Sequence, residues 1–312
     1  MLGAMTLINT QRIHREAKSM VVKTRMNAPL AFKGIFRFAC ALAVFFGVTA
    51  PLARANDILV PNYMDPRERI PVPDLKTVSR IRFVTTVDFP PFNFLDQTGR
   101  LAGFHVDLAR AICAELDILA KCQIQALPWD ELEGALTTGQ AEALISGLAI
   151  TPDSRASHRF TRPYLALPAR FALRRDAEIG GAGAAALQGR RVGVMDGTAH
   201  EVLLRDWFTD VKPVIFSRPE WMFDALKAGT VDAVFGDGLQ LSFWLSSQAA
   251  DSCCRFFDGP YFSQDHLGEG LSIAVHPRNE DLVTGFDHAI AALNRNGRFT
   301  ELYLRWFPNG LY

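Results

Sequence analysis

The pattern Ala135-Leu136-x-x-Gly139-x-x-Glu142-Ala143-Leu144-Ile145 recurs ninety positions later as Ala225-Leu226-x-x-Gly229-x-x-Asp232-Ala233-Val234-Phe235. Each copy reads as the end of a helix, a glycine stop and a short buried strand. The first strand runs out into Ser146-Gly147 and the second into Gly236-Asp237. Open α/β sheets gather ligands beyond the carboxyl ends of their strands. The repeat therefore predicts two α/β lobes, each a sheet flanked by helices, facing each other across a cleft. A chain of 312 residues is long enough to give each lobe its own core.

The first copy leads into the richest stretch of the chain, residues 142–164. Small residues at Ser146-Gly147 expose main-chain groups just past the strand. Thr151-Pro152-Asp153 then makes a good helix start, because Thr caps, Pro fits the first helical position and Asp complements the positive end of the dipole. Arg155 sits in that first turn. Exposed amides, a capped turn and a guanidinium suit an anion such as a carboxylate. In the second half, residues 192–201 read as strand, tight turn and helix, with Thr198 and Glu201 forming a capping box that leaves amides free for an anion. Ser217-x-x-Glu220 reads as a second, structural box.

The formal charge of zero conceals an asymmetry. Residues 1–55 hold eight Lys or Arg and one acid; taking these from 33 basic and 33 acidic residues leaves 25 and 32, a net of −7. An acidic body with no basic cluster between aromatics argues against nucleic acid. Residues 38–50 form an apolar run of 13, within the ~7–15 expected of a signal peptide and short of the ~20 needed to span a bilayer. Lys33 and Arg37 precede it and Ala53-Arg54-Ala55 follows as a cleavage signal. Residues 1–55 are thus read as an N-terminal extension and signal peptide, and the mature protein as exported. An oxidising compartment permits disulfides. Cys113, on a helix expected over 107–116, and Cys122, at the start of the next strand, are placed to bond; adjacent Cys253 and Cys254 read either as a vicinal disulfide or as thiols.

Residues 56–77, with Pro61, Pro66, Pro71 and Pro73, read as an extended arm that adds little to the core. The first lobe is expected over 78–167 and 268–312 and the second over 168–267, with a strand over 268–275 and helices from about 281 to 295 and up to Trp306 completing the first lobe. That arrangement has two crossovers and a hinge. Phe89-Pro90-Pro91-Phe92 follows a strand, so Phe89 is placed to cover a ligand while Phe92 faces the core; Trp129 is placed to form the opposite wall. His105 and Asp107 read as a polar helix entry.

Six segments, in order, resemble the family-3 extracellular solute-binding proteins, the periplasmic receptors of polar amino acid ABC transporters: FPPFNFLDQTGRLAGFHVDLARAIC, PWDELEGALTTGQAEALISGLAITP, RPY, GRRVGVMDGTA, ALKAGTVDAVFGD and GRFTELYLRWFP. The resemblance implies a type II periplasmic binding protein fold and an amino acid ligand, delivered by a monomer to a permease in the inner membrane, with no cofactor, metal or catalysis. It implies that Phe89 and Trp129 sandwich the ligand side chain and that Ser146, Gly147 and Leu148 supply main-chain and hydroxyl contacts beside Thr151. Thr198 offers the amide at the second helix and Asp237 takes the α-ammonium. The family's usual Thr-Pro-Glu-Arg, whose Arg pairs the ligand carboxylate, is here Thr151-Pro152-Asp153-Ser154-Arg155, with the Arg one place late. Thr86 stands where members that bind basic amino acids often carry an acid, so a polar or neutral side chain is expected, with Asp88 as an alternative charge. The same fold serves exported cyclohexadienyl dehydratases, acting on prephenate or arogenate, and sensor modules. An enzyme would need a general acid or base in the cleft, for which Asp88, His105, Glu142, His266 and Glu269 are the candidates, none with a partner visible in the sequence.

Overall fold

In the computed structural model, residues 60, 62–75, 78–308 and 310–312 are described; the signal peptide expected in 1–55 lies outside them. The first lobe begins with β1 (Ile81–Thr85), β2 (Asp88–Phe89), β3 (Asn93–Leu95) and β4 (Leu101–Ala102), followed by α1 (Phe104–Glu115), β5 (Cys122–Ala126), α2 (Trp129–Thr137), β6 (Ala143–Leu144), α3 (Pro152–Ser157) and β7 (Arg159–Phe160). The second holds β8 (Ala169–Arg174), β9 (Arg191–Met195), α4 (Ala199–Trp207), β10 (Lys212–Phe216), α5 (Pro219–Lys227), β11 (Ala233–Asp237), α6 (Gly238–Ser246) and β12 (Cys254–Phe256). The chain returns through α7 (Gln264–Leu267) to β13 (Ala274–Val275), α8 (Glu280–Arg295) and α9 (Arg298–Trp306).

The two main sheets repeat one topology. The first runs β5-β1-β6-β13-β7 and the second β10-β9-β11-β8-β12, each with three parallel strands followed by two antiparallel ones. The sequence repeat has a physical basis here. Gly139 and Gly229 both take positive φ (73° and 71°), as a residue ending a helix in the left-handed region must. The acid three places on then grips an arginine at the second or first position of the neighbouring strand: Glu142 accepts from Arg82, and Asp232 from Arg191, through both backbone N–H and guanidinium. The same guanidinium donates to the glycine carbonyl, at 2.6 Å in the first lobe and 3.2 Å in the second.

The central strands of both sheets are buried on two faces, which explains their nearly continuous apolar runs. Ile81 and Phe83 of β1 join Leu108, Ile112, Phe286, Phe299 and Tyr303 from α1, α8 and α9, while Val84 points to the other side with Leu132 and Leu136 of α2. In the second lobe Val192, Val194 and Phe235 pack with Leu203 and Leu204 of α4, and Val234 packs with Met222, Leu226 and Trp244 of α5 and α6.

Several expectations are corrected. The arm does enter the core: Met64 and Leu75 are buried in the first lobe's cluster, Pro73 and Leu75 sit against Gly285 of α8, and His288 donates from Nδ1 to the Ile70 carbonyl. The first helix starts at Phe104, three residues before the expected 107, because Gly103 (φ +132°) turns the chain directly under Phe92. Residues 268–273 are not a continuous strand; they form the return crossover, and only Ala274–Val275 joins the sheet. Ser217 does not cap α5, whose N-cap is Arg218 with Pro219 at the first position.

The crossovers pair with one another. Leu165 and Leu271 form an antiparallel bridge, as do Ala169 and Tyr261, and Tyr164 N–H donates to the Leu271 carbonyl at 2.9 Å. The hinge is a two-stranded ribbon rather than two independent linkers.

Candidate functional site

The first-lobe side of the site grows from the end of β6. Ser146 is buried and its hydroxyl donates to Thr86 Oγ1 at 3.3 Å. Gly147 has φ +81°, and a Cβ built there would lie 3.5 Å from both the Phe89 ring and Leu271 Cδ2. The structure thus brings Phe89, Ser146 and Gly147 together next to the return crossover. Phe89 is half-buried and stacks on fully buried Phe92 with ring centroids 4.7 Å apart. Leu148 is buried with the α2 core. Trp129 opens α2 and remains 53% exposed.

Thr151 caps α3 as expected, through a reciprocal box with Ser154: Ser154 N–H donates to Thr151 Oγ1 at 3.1 Å and Thr151 N–H to Ser154 Oγ at 2.9 Å. That box occupies Ser154, and the next residue, Arg155, donates from Nη2 to Glu269 Oε2 at 2.6 Å. Arg155, expected to meet a ligand carboxylate, is thus paired with a carboxylate of the chain itself, contributed by the return crossover.

On the second lobe, Thr198 caps α4 by accepting from Glu201 N–H, and its own hydroxyl donates to the Met195 carbonyl. Glu201 reaches one residue further back than a capping box would, accepting from Gly197 N–H at 2.9 Å. Asp237 ends β11 and caps α6, accepting from Leu239 N–H through Oδ1 at 2.7 Å. His200, in the first turn of α4, feels the Asp237 carboxylate. Burial pushes its imidazole below the ordinary value while Asp237 pulls it up. Sequence reasoning missed His200; its place two residues after Thr198 was the available signal.

The acid–base candidates are dispersed. Glu142 is held by Arg82, Glu269 by Arg155, and His266 by Ser263 and Asp206. Asp88 is exposed on β2. His105 is not a polar helix entry: it is wholly buried, bonded to Asn93 and Tyr164, and burial pushes its pKa down to about 3, so it stays neutral. Asp107 instead accepts from Arg305 and Trp306. Among the described residues, no group of three or more His, Cys, Asp or Glu is placed to hold a metal, and no helix is long and apolar enough to cross a membrane. Cys113 is bonded to Cys122, and Cys253 to Cys254.

Known proteins are similar to this chain in sequence and in fold. The ABC transporter arginine-binding protein 1 of Escherichia coli (strain K12) is 32% identical over 231 residues, 73% of this chain and 91% of the relative. The histidine-binding periplasmic protein of Salmonella typhimurium is 26% identical over 236 residues, 75% of this chain and 89% of its own length. In fold, the second substrate-binding domain of a putative amino acid ABC transporter from Streptococcus pneumoniae superposes with a TM-score of 0.63 at 23% identity, over 73% of this chain and 100% of that domain. Residues 81–309, both lobes and both crossovers, match one family description throughout, and the chain belongs to the bacterial extracellular solute-binding proteins, family 3.

Proposed function

We propose that this protein is the periplasmic substrate-binding component of an ABC transporter, which holds a free amino acid between its lobes and hands it to an inner-membrane permease. The observation that carries this reading is the repeat itself: equivalent strand ends offer a hydroxyl and main-chain groups at Ser146 and Gly147 on one lobe and the Asp237 carboxylate on the other. A zwitterion has one charge for each. In this reading the lobes are 78–167 with 268–312, and 168–267. A cleaved signal peptide exports the protein, which acts as a monomer. Asp237 receives the α-ammonium, and the carboxylate lies against the amides near Leu148, Thr151 and Thr198 and draws Arg155 from Glu269. Phe89 and Trp129 flank the side chain.

The side chain it holds is polar or neutral rather than cationic. Asn93, which pairs with Phe89, and Ser146 both donate to Thr86; all three are uncharged, and a buried cation would find no carboxylate among them. A basic ligand is the second reading, favoured by the relatives named for arginine and histidine and by Asp88 two residues beyond Thr86. Calorimetry on refolded, ligand-stripped protein against the amino acids, with prephenate included, decides. Heat with glutamine, asparagine or another neutral amino acid supports the first reading; heat with arginine, lysine or histidine alone replaces it with the second. Turnover of prephenate, or no heat with any amino acid, rejects both.

A further inference from the structure

A continuous hydrogen-bonded chain runs from the first crossover to the end of β6. Tyr164 O–H donates to His105 Nε2 at 2.9 Å, His105 Nδ1–H donates to Asn93 Oδ1 at 2.8 Å, and Asn93 Nδ2–H donates to Thr86 Oγ1 at 2.6 Å. Ser146 Oγ–H donates to the same Thr86 oxygen at 3.3 Å. The five side chains are each no more than 3% exposed and come from the first crossover, α1, β3, the end of β1 and the end of β6. Asn93 spends its N–H on Thr86, so its oxygen faces His105, which must present a proton at Nδ1. A neutral ring then has only a lone pair at Nε2, and Tyr164 is the donor that fills it.

One end of this chain meets the paired crossovers and the other the end of β6. Tyr164 N–H donates to the Leu271 carbonyl at 2.9 Å and Leu271 N–H to the Leu165 carbonyl at 2.6 Å, which is the pairing of the two crossovers. At the other end, Ser146 precedes Gly147, where a Cβ would lie 3.5 Å from the Leu271 side chain and from the Phe89 ring.

We propose that His105 and Tyr164 are positioning residues for ligand binding, because the buried chain through Asn93 and Thr86 ties the orientation of the Ser146 hydroxyl to the pairing of the crossovers. A ligand that engages Ser146 and a change in hinge angle then act on each other through fixed donors and acceptors. Buried networks of this kind polarise and orient their members jointly, so breaking one link is felt beyond its neighbours. The ligand half of the proposal rests on the reading above that Ser146 contacts the solute; the coupling half does not.

The test is a double-mutant cycle in ligand-free protein, with Thr86→Val, Tyr164→Phe and the pair. It is read by amide hydrogen exchange at Tyr164 and Leu271 and by the imidazole 15N shifts of His105. Thr86→Val is expected to speed exchange at both hinge amides several-fold and to shift the His105 resonances, although Thr86 does not touch the ring. Exchange at Val192 and Val194 in the second sheet should stay unchanged. The double variant should exchange no faster than the faster single one, since either break disconnects the same chain. Thr86→Ser, which keeps the hydroxyl, should restore wild-type values, and Ser146→Ala should reproduce the hinge effect should the valine variant fail to fold. Wild-type hinge exchange in Thr86→Val, rate factors that multiply in the double variant, or equal acceleration across both sheets would overturn the coupling. If the cycle succeeds and no amino acid binds, the coupling stands and the amino acid reading falls.

Discussion

Arg155 and Glu269 are 114 positions apart in sequence and form an ion pair of 2.6 Å that ties α3 to the return crossover. Their side chains are 53% and 37% exposed, and such surface pairs typically contribute only ~0–1 kcal/mol. The pair is therefore weak enough to exchange partners. Glu269→Gln should tighten amino acid binding by up to about fivefold, because Arg155 no longer has to leave a carboxylate to meet the ligand's. Arg155→Ala should weaken it. Isothermal titration of both variants checks this, and an unchanged affinity in each would detach Arg155 from the site.

Asp287 on α8 accepts from Arg162 N–H at 2.9 Å in a setting where burial pushes its carboxyl up to about 6. An unfolded Asp titrates near 4, so between about pH 4 and 6 the folded chain binds more protons than the unfolded one. Stability contributed by this group is present at the acid end and falls as pH rises through that window, by up to about 3 kcal/mol. Asp287→Asn keeps an acceptor for Arg162 without the charge. Urea unfolding at pH 4.5 and pH 7.5 should show the variant gaining stability at the higher pH and little at the lower.

Gly103 is the turn on which the first lobe's small sheet and α1 meet. At φ +132°, a Cβ there would sit 2.1 Å from the Phe92 carbonyl oxygen, and backbone cannot yield as a flexible side chain can. Gly103→Ala should cost at least about 3 kcal/mol, measured by chemical denaturation. Full stability in this variant would mean that the Phe89–Phe92 turn is not held as described.

The Cys113–Cys122 disulfide closes a short loop, with a sequence separation of 9, between α1 and β5. Short loops give the smaller entropic gain, so Cys113→Ser with Cys122→Ser should lower stability by about 2 kcal/mol while leaving ligand affinity unchanged. A variant that does not fold, or one as stable as wild type, would contradict this.

The repeat was legible because its helix end, glycine stop and apolar strand are local signals, although the arginine each acid serves lies 60 positions away in the first lobe and 41 in the second. A glycine stop and an acid three places on serve the same arginine clamp in both lobes. Thr151 and Thr198 were legible as caps for the same reason, their partners lying three residues away. What stayed hidden depends on distant chain. His105 reads as a polar helix entry between Phe104 and Val106, and its burial is satisfied by Asn93 and by Tyr164, 59 positions on. Met64 and Leu75 hide among prolines because the arm packs against α8, which lies more than 200 positions later. The late position of Arg155 was visible in the sequence, but its engagement by Glu269 required the return crossover to be in place.

Asp237→Asn tests directly whether the end of β11 receives the ammonium group of an amino acid. Asn is as good a helix cap as Asp, so the bond from Leu239 N–H to residue 237 survives and α6 is left intact. Removing one partner of a buried, hydrogen-bonded charge pair typically costs ~2–5 kcal/mol. Calorimetric titration of ligand-stripped Asp237→Asn with the cognate amino acid should therefore show binding weakened by roughly 30-fold to several thousand-fold, with the melting temperature of the free protein unchanged. Wild-type affinity in this variant would contradict the account.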